Sequence, residues 1–249
     1  MRFQIARLAA TAALVACWFL PVTAQQASDQ GLRKSLTFGF VSPNTREGLK
    51  LDDAIRGLSS SEEDRLIRQA RAFGCVAQSK IETLKAVGSW SDGAEHSVMI
   101  RVQTDAPTMR YIVAVLGRDS RQKATLYFHS DAAGSADLYT LRPQGRESIR
   151  RLSTLLDEAG IEFRTLVPTK PRALVYVVDS KRELRAKIVA AAKRLKARVM
   201  SRRGSAEFIG DDSSREKATT IFDEEIRNYE TQHSALITKC RMSNSSPAR

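Results

Sequence analysis

The chain has few of the residues that most often do chemistry, with three histidines and three cysteines in 249 residues. His96, His129 and His233 stand far apart, and none lies at the spacing of a zinc site on one element. His129-Ser130-Asp131 has the composition of a triad, but adjacent residues cannot reach one another in triad geometry. No glycine-rich phosphate loop or dinucleotide fingerprint occurs. Ser89-Trp90-Ser91-Asp92-Gly93 has only part of a nucleophile elbow. It lacks the first glycine and precedes a strand pattern, where an elbow leads into a helix. Neither Asp211-Asp212 nor Asp223-Glu224-Glu225 has the spacing of a calcium loop. We therefore assign no catalytic residue, no metal ligand and no cofactor.

Long hydrophobic runs are also lacking, except at the start. Leu8 to Leu20 are almost wholly apolar and follow Arg2 and Arg7. The run is shorter than the roughly 20 residues that span a bilayer. Pro21 and Val22-Thr23-Ala24 come next, with small residues placed for signal peptidase. We expect residues 1–24 to be a signal peptide, cleaved near Ala24, and the mature protein to be periplasmic or secreted. Leu14-Val15-Ala16-Cys17 also fits a loose lipoprotein box, which would anchor the protein by a lipid on Cys17. The apolar Trp18-Phe19-Leu20 beyond that cysteine favours cleavage at Ala24. If Cys17 leaves with the leader, Cys75 and Cys240 remain as a pair. In an oxidising compartment such a pair reads as a structural disulfide.

What is abundant is positive charge: 40 Lys and Arg against 28 Asp and Glu, a net +12. At 42% hydrophobic and 27% charged, the chain has the composition of a globular protein. A basic exported protein is drawn to anionic lipid headgroups, acidic glycans or acidic envelope proteins. Export argues against cytoplasmic nucleic acid, and the sequence carries no signature of an oligomeric state. The charge concentrates in one stretch. A helix over residues 181–199 would bury Leu184, Ile188, Ala191, Ala192, Leu195 and Val199. That helix and the residues after it would present Lys181, Arg182, Arg185, Lys187, Lys193, Arg194, Lys196, Arg198, Arg202 and Arg203 against one acid, Glu183. These ten form a candidate anion-binding surface. Trp90, in a turn, is a candidate stacking platform.

The periodicities predict an α+β fold. Ser61-Glu62-Glu63-Asp64 starts a helix carrying Leu66, Ile67, Ala70 and Phe73. Ile81, Leu84 and Val87 suggest a second short one. Val98, Ile100 and Val102 alternate as a strand, and Asp105 caps a helix with Pro107 in its first turn. Strands follow at 124–129 and 136–141, with Asp131 to Gly134 as a hairpin between them. A helix over 149–156 ends at Gly160, and strands lie at 163–167 and 173–178. A last helix lines up Phe222, Ile226, Tyr229, His233, Leu236 and Cys240, turning Cys240 to the core.

Over 97–178 this order is that of a split βαβ (ferredoxin-like) sandwich. Gly134-Ser135-Ala136 and Gly204-Ser205-Ala206, 70 residues apart, suggest a partial internal repeat. The expected organisation is a signal peptide (1–24), a linker and N-terminal arm (25–58) with one strand near 38–41, a single α+β domain (59–240) whose first helix is an N-terminal helical arm, and a disordered tail (241–249). The function expected is that of an exported, non-catalytic binding or accessory protein docking on anionic envelope components through the basic helix. The alternative is a hydrolase of an envelope polymer with an unidentified active site.

Overall fold

The computed structural model describes residues 35–42, 61–90, 93–130, 134–143, 145–166 and 174–245. The expected signal peptide, Cys17 and residues 246–249 lie outside these residues, while residues 241–245 of the expected disordered tail continue the last helix, Ser234–Ser245. Eight strands close into a barrel in the order β1-β3-β2-β6-β7-β5-β8-β4, each pairing antiparallel.

The topology is a duplication. The first unit runs β1 (Ser35–Val41), α1 (Ser61–Ala72), α2 (Gly74–Ala77), β2 (Glu82–Trp90), β3 (Gly93–Thr104), α3 (Ala106–Asp119) and β4 (Ala124–His129). The second runs β5 (Ala136–Arg142), α4 (Gly145–Glu158), β6 (Phe163–Leu166), β7 (Leu174–Asp179), α5 (Arg185–Arg194) and β8 (Arg198–Gly210). Each is a ferredoxin-like βαββαβ unit with its strands ordered fourth, first, third, second. The units join edge to edge through β2–β6 and β4–β8, which leaves no edge strand free to pair elsewhere along those seams. Two further helices, α6 (Arg215–Gln232) and α7 (Ser234–Ser245), follow.

Alternation along the strands sorts the core into three parts. Phe40, Met99, Leu126, Phe128, Leu138 and Tyr176 point into the barrel. Val98, Ile100, Val102 and Tyr127 point outward, under Leu66 of α1, Ile112 and Leu116 of α3, and Phe222 and Ile226 of α6. Tyr139, Leu141, Val175 and Val177 point outward in the second unit, under Leu152 and Leu156 of α4 and Ile188 of α5. β7 is thus covered on both faces, as its continuous apolar run requires.

The duplication begins earlier than the split βαβ expected over 97–178. The strand expected near 38–41 is β1, which is a strand of the barrel and not part of an arm. Likewise, α1 is the first crossover of its unit and not an arm: Leu66 and Ala70 pack on the sheet. Residues 82–90 form β2 and not a second helix. Leu84 faces inward and Val87 outward, and their three-residue spacing only imitates a helical period. β4 and β5 form no hairpin, because β8 lies between them. The matching triplets 134–136 and 204–206 are not equivalent positions of the repeat. Gly134 lies directly against the Gly204 backbone, where β5 meets β8.

The basic segment is not one helix. Asp179 is buried and accepts the N–H groups of Glu183 and Leu184 at 3.0 and 2.9 Å, which starts α5. Lys196 takes a left-handed conformation (φ 51°), and the Ala197 N–H closes the turn on the Ala192 carbonyl at 2.9 Å. The chain then becomes β8, and Val199 reaches the second-unit core from a strand. The expected last helix also breaks, at His233, into α6 and α7.

α6 is tied to α3 by a hydrogen bond between Thr108 Oγ1 and Tyr229 Oη (2.9 Å), and by Arg110, which bridges Glu225 and Glu207. α7 is tied to α2 by the Cys75–Cys240 disulfide, with Cα atoms 5.7 Å apart, a separation a disulfide spans. Burial and the neighbouring Glu230 push the Tyr111 phenol up to about 12, and burial raises Tyr127 and Tyr229 as well. A phenol with a raised folded-state pKa contributes stability that is complete below its unfolded value near 10 and is lost as pH climbs through the folded value. Thermal unfolding midpoints should therefore fall from about pH 10 to beyond 12, more gently in Tyr111→Phe. An equal fall in that variant would contradict this assignment.

Candidate functional site

Adjacent strands run in opposite directions around the barrel. The beginnings of β2, β7 and β8 therefore share one rim with the ends of β3 and β5. The residues that alternation turns inward at this rim are Glu82 and Leu84 on β2, Arg101 on β3, Tyr176 on β7, Arg142 on β5, and Arg198, Met200 and Arg202 on β8.

Positive charge gathers here without a matching set of acids. Arg142 and Arg198 are direct cross-strand partners on the inner face, where like charges destabilise a sheet. Among the described residues, no acid forms an ion pair with Arg142, Arg198 or Arg202. Arg101 pairs with Glu82, the one inward-facing acid described at this rim. The Arg142 Nε is out of reach of solvent and has no hydrogen-bond partner among the described residues. Burial raises the Tyr176 phenol above its usual range, and Arg101 and Arg142 both pull it back down. The positive charges of Arg101 on β3 and Arg142 on β5 thus both act on this one hydroxyl. An open depression of about 670 Å³ lies at the beginning of β2, lined by Arg71, Gly74 and residues 80–84 from both faces of the strand.

The ten candidate anion-binding residues are dispersed by the break after α5. Arg185, Lys187, Lys193 and Arg194 lie exposed on α5, and Lys181 and Lys196 lie in the turns beside it. Arg182 reaches Asp137 and the Gly134 carbonyl. Arg203 faces outward opposite Asp137, while Arg198 and Arg202 face into the barrel. The sequence pattern concealed Arg101, Arg142 and Tyr176. Each sits alone among apolar neighbours, and only the register brings them to one rim. Trp90 ends β2, but the stacking expected of its side chain lies outside what the structure describes.

His96 has a partner that its sequence neighbours do not reveal. Its Nδ1 lies 3.0 Å from Glu63 Oε1, off the line of a good hydrogen bond, with Glu63 0% exposed beneath α1. Glu63 is thus a packed partner of the sheet, not only an acid placed for the helix dipole. His233 stacks on Tyr229 with ring centroids 4.1 Å apart. Among the described residues, no three His, Cys, Asp or Glu side chains form a metal-binding group, and no helix is long and apolar enough to cross a membrane.

No family model and no curated protein matches the sequence. Among solved structures, the small subunit of acetolactate synthase from Thermotoga maritima is similar at 11% identity and a TM-score of 0.23, over 71% of this chain and 97% of that one. An anthrone oxidase-like protein is similar at 8% identity and a TM-score of 0.25, over 72% of this chain and 94% of that one. No property of either protein is carried to this chain.

Proposed function

We propose that this is an exported, non-catalytic binding protein for an anionic envelope component, which it takes at the basic rim of the barrel. The observation that carries the reading is the set of inward-facing arginines, Arg142, Arg198 and Arg202, held together without neutralising acids. Clustering like charges costs stability, and an anionic ligand supplies the missing counter-charge. Arginine suits this task because its planar fork grips a phosphate or carboxylate by two hydrogen bonds. The exposed cations of α5 add a longer-range attraction that brings anionic surfaces near.

Export is supported by the N-terminal sequence pattern and by the Cys75–Cys240 disulfide, a bond typical of oxidising compartments. The reading is tested by sedimenting the mature protein with phosphatidylglycerol vesicles. Binding is expected at low salt and should weaken steeply as salt is added. Arg198→Gln and Arg202→Gln should each weaken it about tenfold, the worth of a hydrogen bond to a charged group. Absence of binding at low salt, or binding indifferent to both substitutions, would refute the reading.

A further inference from the structure

We infer that the ligand of this rim is an anionic amphiphile, with a phosphate or carboxylate head and a hydrocarbon chain. The inference rests on the anion-binding reading above and adds the chemistry of the rest of the ligand.

It starts from two of the inward-facing apolar residues that the barrel leaves exposed, Phe208 farther along β8 being a third. Leu84 and Met200 both face into the barrel, yet they are 41% and 40% exposed. An inward-facing Leu or Met in a filled barrel is covered by the opposite wall, as Met99 and Leu138 are here. At this rim the wall leaves them uncovered. Met200 lies between Arg198 and Arg202 on the same face of β8. Leu84 lies one inward position from Glu82, whose partner is Arg101. Cationic and apolar side chains therefore alternate along β8, and a charged and an apolar one stand on β2 at the opposite wall of the same rim.

A ligand that is only an anion leaves Leu84 and Met200 wet, and one that is only apolar leaves the arginines without counter-charge. An acid head joined to an alkyl chain satisfies both. The head sits on Arg142 and Arg198, and the chain leaves along Met200 and crosses the mouth of the barrel toward Leu174 and Leu84. Methionine suits such a wall because its unbranched thioether adapts to chains of different shape.

The test uses the mature protein and isothermal titration with three probes below their micelle concentrations: dodecyl phosphate, inorganic phosphate and dodecyl maltoside. Dodecyl phosphate is expected to bind roughly 100-fold more tightly than inorganic phosphate, and each methylene that contacts protein should add about threefold. Dodecyl maltoside should bind far more weakly than dodecyl phosphate. The paired substitution Leu84→Ser with Met200→Ser changes exposed side chains and should leave folding intact. It should lower affinity for dodecyl phosphate about tenfold and leave inorganic phosphate unchanged. If inorganic phosphate binds as tightly as dodecyl phosphate, the amphiphile is overturned and the anion site stands. If dodecyl maltoside binds as tightly as dodecyl phosphate, or if no probe binds, both fall.

Discussion

Replacing Cys75 and Cys240 together by alanine should lower the unfolding free energy by about 3 kcal/mol, with about 5 as the ceiling for so long a loop in the chain-entropy model. The bridge spans 165 residues of sequence, so cutting it frees most of the chain in the unfolded state. It is also the covalent tie of α7, whose other anchors are modest. Ile237 packs in the first-unit core, and Arg241 meets Glu230 at a half-exposed site. Circular dichroism melting should show a midpoint lower by about 6–12 °C, the shift that 3 kcal/mol produces in a protein of this size. Reductant should lower the wild-type midpoint similarly and leave the double alanine variant alone. Hydrogen exchange should quicken first in α7. A wild-type midpoint indifferent to reductant would contradict the account of the bridge.

The second large effect is expected at Gly204. This residue sits where β8 leaves its pairing with β5 and takes up its pairing with β4. A Cβ there would meet the His129 carbonyl oxygen, with the Phe128 ring atoms at 2.5 and 2.9 Å. The carbonyl belongs to the paired backbone of β4 and cannot swing away as a side-chain tip can. Gly204→Ala should therefore strain the seam that closes the barrel and cost about 3 kcal/mol, the upper range of overpacking. Chemical denaturation would measure it. A cost under about 0.5 kcal/mol, the ordinary result of a neutral surface change, would mean that β4 and β8 are not in such close contact.

Where one signal controlled the local structure, the sequence was readable. Asp105 accepts the Thr108 N–H at 2.8 Å and starts α3, as its position before Pro107 suggests. Gly160 takes φ +65° after α4, as its place beyond Leu156 requires. Cys240 faces the core, as its stripe with Phe222 and Ile226 indicates. The misread segments are those where tertiary structure overrides the period. Ile81, Leu84 and Val87 keep a helical spacing while lying in and beside a strand, because a barrel has apolar demands on both faces of β2. The basic run 181–203 keeps a helical stripe past the helix end, because Val199 meets the same core from β8. The candidate site was illegible for a related reason. Arg101, Arg142 and Tyr176 come from different strands, far apart in sequence, and strand register assembles them.

The most direct test of the account is the stability of Arg198→Gln without ligand at low salt. Arg198 is exposed, pairs with no described acid and faces Arg142 across β5 and β8. If the rim holds uncompensated positive charge, removing one arginine should raise the unfolding free energy by about 0.2–1 kcal/mol, and added salt should erase the gain. A loss of about 1 kcal/mol or more would show that Arg198 is held by acids as a structural ion pair, and the rim would not be an anion site.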